Sequence, residues 1–308
     1  MTIEVLEPGP LTSVQDPFGR PGWRHLGVAV GGAADPWSAR LANRLVGNRD
    51  DAALLEITIG EAVIGTEQSA WMALTGGLRA SAGGIELPRH EAWRLRPGAT
   101  VRIRAGDGAR GYLAVGGGLI VDTVLGSRST DLRTGFGGLD GRALRAGDRL
   151  EVGPMDGRPG RWNSAATKGP IRIVPGPHPD TFSAVEAHWS VAVEADRTGV
   201  RLDGPRVEGG EVPSMGLPLG AIQVPPDGRP IVMLVDRPVT GGYLVPACVI
   251  RADVGRVAQL RTGDALTFAS VSPDEARDAL RRAEHDLAAL EPLEAVADDE
   301  LGWAGSHE

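Results

Sequence analysis

Lysine is almost missing from this chain: Lys168 stands alone among 308 residues, so nearly all of the positive charge is guanidinium. That scarcity excludes whole classes of chemistry. The phosphate-cradling pattern GxxxxGK[ST] is absent, and a Schiff-base or lysine-dependent amidase mechanism would have only Lys168, which lies in the irregular run NSAATKGP. No lysine is flanked by methionines, so the chain does not itself carry biotin. A single cysteine, Cys248 within PACVI, excludes an internal disulfide, suits a reducing compartment and reads as a small buried hydrophobe. Six scattered histidines form neither HExxH nor a cysteine–histidine set, so no metal site is expected. A G-x-S-x-G elbow is also lacking. No apolar run approaches the roughly 20 residues that span a bilayer. The start MTIEVLEPG does not have the basic-then-apolar order of a secretory leader, and a cytoplasmic location away from membranes is expected. A net charge of −8 argues against nucleic acid as a partner.

What the chain has in abundance is glycine, 44 residues, and proline, 23, which favour many short elements joined by turns. Strands are expected at Ala70 to Leu74, Thr100 to Arg104, Gly111 to Val115, Ile171 to Val174 and Ala247 to Ile250. Two helices carry clear start signals. Asp35-Pro36 precedes Trp37, Leu41 and Leu45 on one stripe, with Gly47 closing it. Ser272-Pro-Asp-Glu275 is a capping box ahead of Ala276, Leu280, Ala283, Leu287 and Leu290. An internal echo divides the chain: Glu4 to Pro10 resembles Arg172 to Pro177, and Arg145 to Val152 resembles Arg261 to Phe268. Two β-rich units are therefore expected, 1–153 and 170–272. A linker at 154–169, a helix at 273–291 and a loose acidic tail at 292–308 complete the division.

The segment Gly216 to Tyr243, GLPLGAIQVPPDGRPIVMLVDRPVTGGY, concentrates the most information. Leu219 to Val224 reads as a strand bearing the polar Gln223, Ile231 to Val235 as a strand buried on both faces, and Pro226-Asp227-Gly228 as the hairpin turn between them. A polar cluster follows at once. This segment resembles the signature of the carboxyltransferase A/B-domain family. So do LEPGPLTSVQDPFGRPGWRHLGVAVGGAAD, GGLIVDTVLGSRSTDLRTGFGGLDGRALRAGD, VPGPHPDTF and DRTGVRLDGP. The similarity runs from about Ile3 to about Ala276. It implies a mainly β fold of two cyclophilin-like barrel units with a few short helices and a C-terminal helix. Two positions depart from the family pattern: Met215 stands where many relatives have an acid, and His178 replaces a common glutamine.

Four groups of residues are candidates for chemistry. Gln15, Asp16, Arg20 and His25 share a compact Gly/Pro loop, where an arginine fork would hold an anion and His25 would exchange protons. Arg40, Asn43 and Arg44 lie opposite the Trp37 stripe and would meet a partner protein. Ser127, Arg128 and Ser129, ahead of Gly135, Gly137 and Gly138, would receive an anion. Gln223, Asp236 and Arg237 form the catalytic candidate, with Thr240 and Tyr243 beside them for substrate. Strand alternation would send Asp236 and Arg237 to opposite sides. Each group also has a purely structural alternative: an Asp16–Arg20 ion pair with His25 on a carbonyl, a solvated helix face, turn chemistry, and Asp236 and Arg237 locked in the fold.

The resemblance implies three functions. The first is a subunit of an ATP-dependent 5-oxoprolinase, activating a small lactam or amide together with a B-type subunit, with ATP and Mg²⁺ shared between the chains of a hetero-oligomer. The second is carboxyl transfer to urea or a related amide from biotin carried by another chain. The third is a regulatory protein that antagonises the inhibitor of a sensor kinase.

Overall fold

A computed structural model describes residues 1–163, 167–181 and 187–293. The chain is mostly β, 39% strand and 14% helix, with a nearly closed, barrel-like sheet. It divides into two compact units. One comprises Met1–Arg20, Gly31–Ser164 and the chain from Leu287; the other comprises Pro21–Val30 and Ala165–Asp286. A ten-residue piece of the N-terminal half therefore belongs to the second unit.

The first unit is built on two sheets. A seven-stranded sheet runs Leu119–Ile120, Arg149–Val152, Thr2–Glu7, Ala62–Thr66, Thr100–Arg104, Arg79–Ala82, Ile85–Glu86. A five-stranded sheet runs Leu11–Gln15, Leu54–Thr58, Arg110–Val115, Ala70–Gly76, Trp93–Leu95. Strand alternation makes both faces of the second sheet apolar. Leu55, Ile57, Met72, Leu74, Leu113 and Val115 meet Ile3, Val5, Ile64, Val101 and Ile103 in one core. Their neighbours Leu54, Ala73, Tyr112 and Ala114 face the other way, onto Leu41, Ala42 and Leu45 of helix α1, Pro36–Leu45. Asp35 caps α1 by accepting from the Ser38 amide at 3.1 Å, with proline in its first turn, as the sequence indicates.

The 154–169 stretch, expected as a linker, contains the strand Gly160–Trp162, which pairs antiparallel with Leu290–Pro292. Trp162 is buried and meets the Trp37 ring edge-on at 4.9 Å between centroids. A three-residue strand has no periodicity to betray it. The C-terminal helix, Pro273–Ala288, stops short of 291, and Leu290 sits in that strand instead. The expected acidic tail lies outside the described residues from 294 onward.

The second unit is a nine-stranded sheet in the order Ala265–Leu266, Trp189–Ala195, Gly199–Asp203, Ile231–Met233, Ala221–Val224, Thr240–Val249, Ile171–Pro175, Phe268–Ser270. Its ninth strand, Glu211–Gly216, pairs with Thr240–Val249. The hairpin is present: Ile222 pairs Val232 and Gln223 pairs Ile231, with Gly228 left-handed at φ 75° and the Asp227 carboxylate accepting from the Arg229 amide at 3.1 Å. Two details differ from expectation. Ile231 is only half-buried, and the last strand is far longer than Ala247 to Ile250, so Thr240, Gly241, Gly242 and Tyr243 are strand residues. Glycine pairs obscure strand periodicity because they bring no side chain to alternate. Cys248, expected buried, is half-buried; what burial it has pushes its thiol pKa up.

The echo between the halves survives as matched turn chemistry. Asp148 and Asp264 each accept from the amide three residues upstream, Arg145 at 2.7 Å and Arg261 at 2.8 Å. Strand pairing does not follow it: Thr2–Glu7 pairs Arg149–Val152 antiparallel, whereas Ile171–Pro175 pairs Phe268–Ser270 parallel.

Candidate functional site

The polar segment after the second-unit hairpin does not continue as a strand. Ile231–Met233 ends, the chain turns through Leu234 to Arg237, and the Arg237 amide donates back to the Leu234 carbonyl at 3.3 Å. Side-chain alternation therefore does not govern Asp236 and Arg237, yet the two acquire opposite environments. Asp236 is buried and held by a fork: Arg197 Nε donates to Oδ2 at 2.7 Å and Nη2 to Oδ1 at 3.1 Å. Such a bidentate pair fixes geometry, and it occupies both carboxylate oxygens. Arg237 is just as buried, 6% exposed, but donates only to carbonyls, Nε to Leu217 at 3.0 Å and Nη1 to Leu234 at 3.2 Å.

A second guanidinium joins it. Arg24, carried on the Pro21–Val30 segment, donates Nη2 to the same Leu217 oxygen at 2.6 Å and to the Val239 oxygen at 3.0 Å. Among the described residues neither arginine has a carboxylate partner. Burial, and then repulsion from Arg24, lowers the Arg237 pKa to about 10, which still leaves it cationic at neutral pH.

Gln223 shares Gly241 as a neighbour with Leu217, the residue whose carbonyl both arginines reach. It sits at an irregularity in the pairing of Ala221–Val224 with Thr240–Val249, is 4% exposed, and its Nε2 has no acceptor among the described residues. Gly241 leaves room for it: a Cβ there would stand 2.5 Å from Gln223 Nε2 and 2.7 Å from Leu217 Cδ1. Thr240 and Tyr243 are exposed on the same long strand, Tyr243 opposite Glu211 and Thr240 opposite Gly216. Met215 pairs with Gly241, and His178 Nδ1 accepts from the Val245 amide at 3.1 Å, which places the proton of the neutral ring on Nε2.

The N-terminal candidates belong to two different units. Asp16 and Arg20 are buried in the first unit, whereas His25 is exposed in the second, its Nδ1 2.9 Å from the Gly22 carbonyl. A carbonyl only accepts, so His25 donates there, as the structural alternative has it. Asp16 is held by donors other than the Arg20 guanidinium. Its Oδ1 accepts from the Phe18 and Gly19 amides at 3.1 and 2.7 Å, and Oδ2 from Ser127 Oγ and the Arg128 amide at 2.6 and 2.7 Å. Arg20 is fully buried, donates to the Ser129 carbonyl and stacks over Phe136 at 4.7 Å. Gln15 Nε2 reaches Ser13 Oγ and the Thr130 carbonyl. Gln15, Asp16 and Arg20 thus form one cluster with the third group of candidates, in which Ser127 and Ser129 are buried and occupied with the fold, and the half-buried Arg128 side chain has no hydrogen-bond partner among the described residues.

Arg40 and Arg44 converge on Asp50, at 2.9 and 2.5 Å, and Arg44 Nη1 also donates to the Leu287 carbonyl. Asn43 is fully buried, donating to the Ala52 carbonyl at 2.8 Å, so this side of α1 is not the solvated face that helical spacing suggested. These arginines are engaged within their own unit.

Sequence reasoning missed Arg24 and Arg197. Arg197 sits in DRTGV, a quoted motif, and Arg24 adjoins His25, but each partner lies far along the chain and no local pattern pairs them.

A family model described as carboxyltransferase domain, subdomain A and B, matches residues 26–270. The chain is 39% identical over 299 residues to the C-type subunit of 5-oxoprolinase from Escherichia coli (strain K12), covering 89% of this chain and 93% of that protein. It is 33% identical over 311 residues to the urea amidolyase of Saccharomyces cerevisiae, of which it spans only 17%. The crystal structure of the Kluyveromyces lactis urea carboxylase superposes with a TM-score of 0.87 at 29% identity, covering 97% of this chain and 30% of that one.

Proposed function

The chain belongs to the carboxyltransferase subdomain A and B family, and from that premise we propose that it is the C-type subunit of an ATP-dependent 5-oxoprolinase, acting with a B-type subunit on a small lactam. The observation that carries this reading is sequence likeness: 39% identity over 299 residues to a C-type 5-oxoprolinase subunit, against 33% over 311 residues to urea amidolyase. That relative is named as one subunit of a complex, and the proposal carries this over to the present chain.

Activating a lactam means polarising its carbonyl oxygen and holding the acid in place, work suited to guanidinium and amide donors in a site shielded from water. Arg24, Arg237 and Gln223 are such donors. Among the described residues no three acidic, histidine or cysteine side chains gather as in an all-protein cation cage, and magnesium beside a nucleotide is usually held by one or two carboxylates together with the phosphates. Nucleotide and metal are proposed to be held jointly with the B-type subunit.

The superposition on the urea carboxylase favours a second reading, carboxyl transfer to urea or a related amide with biotin delivered by another chain. The discriminating experiment combines the purified chain with its B-type subunit and measures ADP release. Release that depends on 5-oxoproline supports the first reading; no release, with carboxylation of urea when a biotinylated carrier is supplied, replaces it by the second.

A further inference from the structure

Leu217 is the centre of an unfinished electrostatic arrangement. Its carbonyl oxygen accepts from both Arg24 and Arg237, and its side chain borders Gly241, which borders the amide of Gln223. A buried guanidinium is normally matched by a carboxylate, because removing the charge from water is costly without one. The same unit supplies that match elsewhere, for the buried Arg197 at Asp236 and for the half-buried Arg172 at Asp253. At Arg237 it supplies only carbonyl dipoles and a second cation. A fold that pairs those two arginines and leaves this couple with positive charge in excess is arranged for an anion that arrives from outside.

Donor capacity agrees. A guanidinium has five N–H groups. Arg237 uses two, toward Leu217 and Leu234, and Arg24 uses two, toward Leu217 and Val239, leaving three on each. Gln223 Nε2 adds a buried amide donor with no acceptor among the described residues. Two charged forks beside one neutral amide suit a planar carboxylate next to a second, uncharged acceptor better than they suit a tetrahedral ion, since guanidinium matches carboxylate in a flat two-point contact.

We infer that Arg24, Arg237 and Gln223 form a receptor for a small carboxylic acid, the arginines taking the carboxylate and the Gln223 amide taking a neighbouring carbonyl oxygen. Identifying that acid as the lactam acid of the proposed reaction rests on the 5-oxoprolinase reading; the carboxylate receptor itself rests on the second unit alone. Arg24 acts from a segment distant in sequence, so the receptor exists only when Pro21–Val30 is docked in this unit.

The test is calorimetric titration of the full chain, without any partner, with 5-oxoproline, 2-pyrrolidinone, succinate and inorganic phosphate. The expected result is saturable binding of 5-oxoproline, with the carboxylate-free 2-pyrrolidinone at least about tenfold weaker, from loss of a charge-assisted pair. Arg24→Gln is expected to weaken 5-oxoproline by about tenfold or more while its far-ultraviolet circular dichroism matches the parent. Gly241→Ala, which removes no charge but crowds Gln223, is expected to weaken 5-oxoproline more than succinate. Equal binding of 5-oxoproline and 2-pyrrolidinone, phosphate binding tighter than any carboxylate, or unchanged affinity in both folded variants each overturns the receptor. The two readings fail separately. Arg24-dependent carboxylate binding by a chain whose complex with the B-type subunit releases no ADP upholds the receptor and removes the 5-oxoprolinase assignment; full turnover by an Arg24→Gln complex does the reverse.

Discussion

Arg24 and Arg237 donate to one and the same oxygen, the Leu217 carbonyl, at 2.6 and 3.0 Å. Two like charges held on a single acceptor repel each other, and carbonyl dipoles alone, those of Leu217, Val239 and Leu234, offset the repulsion. Arg24 therefore contributes little to the fold. Arg24→Gln is expected to change the stability of the chain by no more than about 1 kcal/mol, since lost hydrogen bonds and relieved repulsion oppose each other. Urea unfolding of parent and variant checks this, and a loss of several kcal/mol would make the residue a structural one.

Asp236 is expected to behave in the opposite manner. Both its oxygens are taken by Arg197, and removing one partner of a buried ion pair typically costs about 3–5 kcal/mol. Asp236→Asn should lower the unfolding midpoint strongly, with activity falling only as far as folded protein is lost. The double change Arg197→Met with Asp236→Leu should recover most of the stability, because it leaves no buried charge uncompensated. Turnover by the double variant, measured on its folded fraction, separates structure from catalysis at this position.

Asp16 carries the loop that holds Ser127 to Thr130. Four donors meet its carboxylate, two from the segment after it and two from Ser127 and Arg128. Asp16→Ala leaves them without their acceptor and is expected to cost about 3 kcal/mol. Amide hydrogen exchange should show the loss concentrated at Ser127 to Thr130, and uniform exchange across the unit would contradict this role.

His90 sets an acid limit on the first unit. Its pKa lies below the usual 6.5, because burial disfavours the charged ring and Arg89 repels it, with Asp107 opposing in part. The unfolded chain then binds the proton more readily, so the stability that His90 provides is fully present above pH 6.5 and is lost as pH falls through the lower folded value. His90→Asn removes the titration and suits the left-handed backbone, φ 60°, that this position adopts. Thermal melts between pH 5 and pH 7 should be flatter for the variant, and identical slopes would refute the assignment.

How much of this was legible beforehand depends on the range of the interaction. Thr100–Arg104 was readable because its exposed and buried residues alternate without exception, and α1 and the C-terminal helix announced themselves through Asp35 and the Ser272–Glu275 box. The Pro-Pro-Asp-Gly hairpin was readable for the same reason: all its determinants lie within a few residues. Gln223 and Arg237 could be singled out as polar groups among apolar runs. Their environment could not, because it depends on Arg24 and on the Leu217 carbonyl. Nothing within Pro21–Val30 signals that this piece belongs to the second unit, so grouping His25 with Asp16 followed local sequence alone. The 160–162 strand was hidden similarly, since its reason for existing is the partner strand Leu290–Pro292.

The family assignment rests on residues 26–270, whereas the proposed reaction rests on a subunit that must be joined to another. The most direct measurement is therefore ADP release by the purified chain mixed with its B-type subunit, ATP and Mg²⁺, with and without 5-oxoproline. Release is expected to rise with 5-oxoproline, to saturate, and to fall at least about tenfold with Arg24→Gln. Release that is the same with and without 5-oxoproline, or absent in both while urea is carboxylated from a biotinylated carrier, would contradict the proposed reaction.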